Sequence, residues 1–106
     1  IEGKKILIAR YLASYVPPQQ IDDTRTLLIH CEHFTMERWD VRAPLAATTD
    51  PGSFEILTLI DGALTLRWPG GTRTLVRGTS VVLPAVLGDY TLAPIDTAAL
   101  LRCYVP

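Results

Sequence analysis

Cysteine and histidine are scarce in this chain, at two each in 106 residues. Cys31 and Cys103 each lie within an apolar segment and read as buried reduced thiols, because two cysteines make no disulfide framework and nothing indicates secretion. Net charge is also nearly absent. With 10 basic and 11 acidic side chains interspersed, the balance is -1, which provides no basic stripe for a nucleic-acid backbone. No apolar run approaches the length needed to cross a bilayer, and no apolar leader with a small-residue cleavage site opens the sequence, so neither membrane nor nucleic acid is an expected partner. The chain reads as soluble and cytoplasmic. Its start at Ile1, without methionine, is compatible with a fragment or a trimmed product.

What remains is the composition of a folded domain: 48% hydrophobic and 20% charged residues. A chain of this length makes one domain able to bury a core without metal or disulfide support. After about residue 25, short apolar runs alternate with turn signals: Thr26 to Val41 (two runs), Phe54 to Asp61, Ala63 to Trp68, Thr72 to Arg77, Ser80 to Leu83 and Thr97 to Val105. Asp50-Pro51-Gly52, Asp61-Gly62, Pro69-Gly70-Gly71 and Arg77-Gly78 punctuate them. This is an all-β pattern, a small antiparallel barrel or jelly roll. Core contributors are expected among Leu28 or Ile29, Ile56 or Leu57, Leu64, Leu66, Val81, Leu83, Leu100 and Leu101. The N-terminus differs. Lys4 to Tyr15 carries Ile8, Leu12 and Tyr15 at helical spacing, while Ile6-Leu7-Ile8 could equally begin a strand; a short helix is slightly favoured. Val16-Pro17-Pro18-Gln19-Gln20 then forms an extended linker, which divides the chain into residues 1–20 and a compact domain over residues 21–106.

The stretch GTSVVLPAVLGDY, Gly78 to Tyr90, places five residues between Gly78 and Pro84, and six separate Glu55 from Gly62. Both spacings resemble the two cupin signatures, which hold a metal with three histidines and a glutamate. The histidine places fall here at Thr48 and Asp50, or Thr49 and Pro51, and at Asp89. None is a histidine, so the scaffold is kept and the metal ligands are not.

The runs Cys31-Glu32-His33-Phe34 through Glu37-Arg38-Trp39-Asp40, FEILTLIDG (Phe54 to Gly62), Leu64 to Trp68, Gly78 to Pro84 and Ala85 to Tyr90 resemble, over roughly residues 22 to 106, the C-terminal cupin domain of bacterial type I mannose-6-phosphate isomerases. The resemblance implies a metal-free cupin in which Asp89-Tyr90 is the lineage's normal ending. Zinc and the catalytic residues belong, in that family, to an N-terminal cupin with no counterpart here. The chain is therefore expected to hold no cofactor and not to catalyse the interconversion of mannose-6-phosphate and fructose-6-phosphate alone.

Single residues carry two readings each. Glu55 shares strand parity with Leu57 and Leu59; if that face is the inward one it points into the barrel, where it needs a rim position or an arginine partner unless it meets a ligand. Asp89, after Gly88, is expected to bond local backbone donors. Trp39 and Trp68 could stack on a sugar but more commonly fill a core or sheet face. His30-Cys31-Glu32-His33 cannot present more than two good metal ligands on one strand face. Arg38, Arg67, Arg73 and Arg77 suit solvated faces and cross-strand ion pairs better than a shared phosphate site. The leading expectation is an accessory cupin, structural or assembly-directed, partnered by a catalytic cupin domain or by a second copy in a homodimer. The rival is a stand-alone cupin binding or isomerising a sugar-like molecule in the barrel mouth through Glu55, Asp89, Tyr90 and Trp39.

Overall fold

The computed structural model describes residues 18–30 and 32–105. The helix or strand expected over residues 4–15, and Cys31, lie outside them. Among the described residues eight strands run in chain order: β1 (Gln19–Gln20), β2 (Arg25–His30), β3 (Thr35–Val41), β4 (Leu45–Thr48), β5 (Glu55–Trp68), β6 (Gly71–Val76), β7 (Ser80–Leu83) and β8 (Asp89–Tyr104), with a 3-10 turn at Ala85–Leu87. All pairings are antiparallel.

Two long strands organise the molecule. β5 and β8 pair along nearly their whole length and bend, so each belongs to two sheets. The first sheet is β1-β2-β3, the C-terminal half of β8, the N-terminal half of β5, and β7; the second is β4, the N-terminal half of β8, the C-terminal half of β5, and β6. Facing sheets joined through shared bent strands make a jelly-roll sandwich.

The bend changes one expectation. Asp61-Gly62 does not close a hairpin between two strands; it is an irregularity inside the continuous β5, with register shifts on either side of it. Gly62 has φ +72, and a Cβ there would run into the Thr97 carbonyl oxygen of β8, so the bend needs a residue without a side chain. The turn carrying Gly78 seats on this bend: Gly78 N–H donates to the Leu59 carbonyl at 2.8 Å, and Leu59 N–H to the Thr79 carbonyl at 2.9 Å. The glycines of the two signatures thus serve one corner. β8 likewise begins at Asp89 and not at Thr97, passing through Pro94, and β4 carries too few residues to stand out as a run in the sequence.

The bulges switch the buried parity, with Leu57 and Leu59 inward before the bend and Leu64 and Leu66 after it. Facing them are Val81 and Leu83 of β7, Leu75 of β6, and Leu92 and Leu100 of β8. Each such leucine withdrawn from water contributes about 1.5–3 kcal/mol before entropy is set against it. Leu101 is a correction: alternation places it on the outer face beside the buried Leu100. Leu28 and Ile29 are both half-buried on the near-edge strand β2, so neither joins the central core.

Candidate functional site

At one end of the first sheet the inner face turns polar. Strand alternation sends Thr35, Glu37, Trp39 and Val41 of β3 inward, and all four are buried. On β5 the same alternation buries Glu55, which is 0% exposed. Glu37 is the cross-strand partner of Arg102 on β8, and Glu55 sits one row further on, opposite Tyr104.

Arg102 closes the cluster. Its Nε donates to Glu55 Oε1 at 2.8 Å and its Nη2 to Glu55 Oε2 at 2.9 Å, a bidentate fork, while Nη1 donates to Glu37 Oε1 at 3.1 Å. The Trp39 indole N–H donates to the same Glu37 oxygen at 2.9 Å, and the Tyr90 hydroxyl makes a long bond of 3.4 Å to Glu55 Oε1. The guanidinium carbon lies 4.1 Å from the centre of the Tyr104 ring and 5.2 Å from that of Trp39. Among the described residues no buried side-chain nitrogen or oxygen lacks a partner. Burial alone would disfavour the charged guanidinium, but the hydrogen bonds and charge of Glu55, then the charge of Glu37, outweigh it and hold the Arg102 pKa above its ordinary value. Burial, reinforced by the charge of Glu55, pushes the Tyr90 hydroxyl well above the usual phenol range.

Glu55 therefore takes the arginine partner that its inward parity demands. Glu55, Tyr90 and Trp39, three of the four residues singled out from sequence, meet around Arg102. Asp89 does not join them. It starts β8 on the opposite parity from Tyr90, is exposed, and accepts a hydrogen bond from Thr48 Oγ1 at 2.6 Å. Its partner is a side chain of the paired strand β4, not the local backbone expected for it, because Asp89 already belongs to a strand.

The register does bring the first and last ligand places of the signatures together, as Thr48 opposite Asp89. The alternative place, Thr49, is buried and structural: its Oγ1 donates to the Ala85 carbonyl at 3.0 Å and accepts from Gly88 N–H at 2.9 Å, tying β4 to the 3-10 turn. These residues do not fit zinc. Both oxygens of Glu55 are engaged by Arg102, Asp89 is exposed and accepts a bond from Thr48, and no imidazole stands at a ligand place. Among the described residues no group of three or more His, Cys, Asp or Glu side chains is arranged to hold a metal.

The other residues read from sequence are dispersed. His30 Nδ1 pairs with Thr35 Oγ1 at 2.9 Å, and His33 Nε2 lies 3.1 Å from Glu32 Oε1. Arg38 pairs with Asp40 on the solvent side of β3. Arg67, Arg73 and Arg77 are exposed, and Trp68 packs on the core edge against Gly70 and Gly71. Arg102 and Glu37 are the residues that reading by motif misses. Their signal is one of parity: a charge within Leu100-Leu101-Arg102-Cys103-Tyr104, and a glutamate sharing a face with Trp39 and Val41.

No curated protein matches the sequence. Among solved structures, mannose 6-phosphate isomerase from Bacillus subtilis superposes with a TM-score of 0.70 at 24% identity, covering 84% of this chain and 28% of that one. A protein from Archaeoglobus fulgidus designated a mannosephosphate isomerase gives 0.64 at 26% identity, covering 77% and 25%. KdgF from Halomonas sp. gives 0.69 at 15% identity, with 86% of each chain covered. This chain thus spans little more than a quarter of the Bacillus subtilis enzyme, whereas it covers most of KdgF. The family described as mannose-6-phosphate isomerase, cupin domain, matches residues 23–104. With that match over most of its length, and a jelly roll in which the Gly78 turn is hydrogen-bonded to Leu59 beside the Gly62 bend, the chain belongs to the mannose-6-phosphate isomerase cupin-domain family.

Proposed function

We propose that this chain is a metal-free accessory cupin domain, structural or assembly-directed, that does not interconvert mannose-6-phosphate and fructose-6-phosphate by itself. The observation that carries the reading is the bidentate Arg102–Glu55 pair, with the carboxylate 0% exposed. The acid that the signature would offer to a metal is neutralised by a side chain of the same domain. Isomerisation needs a base to move a proton between adjacent carbons and an electrophile to steady the enediolate oxygen. A carboxylate locked in a guanidinium fork is a poor base, and Arg102 is committed to two carboxylates already.

Support for an assembly role comes from the opposite side of the same sheet. Ile29, Met36, Cys103, Ile56 and Val82 are consecutive cross-strand partners over five strands and form one apolar row on the outer face. A catalytic cupin domain or a second copy of this chain would find there an apolar surface to cover.

The test is a coupled isomerase assay on chelated and zinc-supplemented protein, with elemental analysis. The expected outcome is no turnover and no stoichiometric zinc. Zinc-dependent turnover abolished by Glu55→Gln overturns the reading.

A further inference from the structure

The sandwich is open along two seams, where strands of the two sheets face each other without pairing. At the first, β6 and β7 both hang from β5, and the groove is largely apolar, with Leu66, Trp68, Val81, Leu83 and Leu87 among its walls. The second lies between β2–β3 and β4. It holds a cavity of about 330 Å³ whose walls include Thr24, Arg25, Trp39, Ala47, Thr48 and Arg102. That volume lies within the range of small-molecule sites, about 300–1,000 Å³.

We propose that this second cavity binds a neutral, hydroxyl-rich small molecule, a monosaccharide or polyol carrying no phosphate. A guanidinium has five N–H groups. The bonds to Glu37 and Glu55 use one each on Nε, Nη1 and Nη2 of Arg102, which leaves one N–H on each terminal nitrogen for a ligand. Arg25 is engaged through Nε with Asp22 Oδ2 at 2.8 Å, and its terminal nitrogens add donors. Thr48 Oγ1 gives its proton to Asp89 and keeps lone pairs to accept a ligand hydroxyl; Thr24 adds a second hydroxyl, and the Asp22 carboxylate lines the same wall. Trp39, Leu45 and Ala47 supply the apolar surface against which the C–H face of a sugar packs.

Charge decides the class. Asp22 offsets Arg25, Glu37 and Glu55 more than offset Arg102, and Asp89 stands beside Thr48 with no cation bonded to it among the described residues. The arginines therefore present directional donors without a net positive field, and a phosphate dianion is disfavoured. This goes beyond the accessory reading, which needs no ligand.

The test is a fluorescence titration of the Trp68→Phe variant, in which Trp39 is the only tryptophan, with D-mannose, myo-inositol and D-mannose 6-phosphate at low salt. The wild-type Trp39 indole N–H resonance provides a second readout that does not depend on the substitution. A saturable response to at least one neutral probe is expected, about tenfold weaker for the phosphate ester and about tenfold weaker again for the neutral probe in Arg25→Met, a tenfold change being about 1.4 kcal/mol. Tighter binding of the phosphate ester overturns the neutral class. Absence of any saturable response to both neutral probes in both readouts, or a response unchanged in Arg25→Met protein of unchanged melting temperature, overturns the site.

Discussion

The two faces of the first sheet invert the usual arrangement at one end. On the inner face, Glu37 and Arg102 form a cross-strand pair with Glu55 one row away. On the outer face, one residue along each strand, Met36, Cys103 and Ile56 form an apolar row. Elsewhere in the sandwich the same strands bury leucine and turn polar groups outward, as alternation in a half-solvated sheet requires. A one-residue slip would restore the ordinary pattern at this end but would expose Leu57, Leu59 and Leu100, so the remaining core fixes the register. The inversion is therefore affordable only because each face has its own solution: a hydrogen-bonded set of opposite charges inside, and outside a surface suited to being covered.

Removing the inner cation tests the inner solution most harshly. Arg102→Met should destabilise the domain by about 3–5 kcal/mol, because two buried carboxylates lose their counter-charge. Combining it with Glu37→Gln and Glu55→Gln should recover more than half of that loss, since the penalty comes from unpaired charge and not from lost shape. Chemical denaturation of the single and triple variants measures both; a triple variant no more stable than the single one would mean that Arg102 acts through packing on Trp39 and Tyr104.

The outer solution is probed by Val82→Glu, at a position 63% exposed. Its effect on unfolding should stay within about 0.5 kcal/mol, as for ordinary surface changes. Sedimentation velocity should nevertheless show self-association in the parent chain that the variant lacks. A parent that remains monomeric at the highest soluble concentration would remove the second copy as the cover for this row.

The smallest effect belongs to Cys103. Burial pushes its thiol pKa up, and only the thiolate is a good nucleophile. Alkylation near pH 8 should therefore be slower than for a small free thiol and should accelerate as pH rises. A rate equal to that of the free thiol would place Cys103 in open solvent.

Much of this was legible in the sequence because the apolar runs and turns are local signals. The strands of β2, β3, β6 and β7, the face that Glu55 shares with Leu57 and Leu59 and the absence of imidazole at the ligand places follow from neighbours in the chain, whereas which of the two faces turns inward does not. What escaped depends on distant partners. Asp61-Gly62 looks like a turn, and only the close approach of Thr97 shows why a bend is needed instead. Arg102 lies 47 residues from Glu55, and nothing in local composition pairs them. Asp89 resembled a turn aspartate because its partner, Thr48, lies 41 residues away on β4.

The central position of β8 has a consequence for how the domain comes into being. Without β8, the first sheet separates into β1-β2-β3 and β5-β7, and the second into β4 alone and β5-β6. During synthesis, hairpins can form early, but neither sheet can be joined until the segment ending at Tyr104 leaves the ribosome. Arg102 lies on that last segment. Until it emerges, Glu37 and Glu55 lie on separate pieces of the first sheet and keep their water, and the arrival of Arg102 gives both carboxylates one shared counter-charge as β8 pairs between β3 and β5.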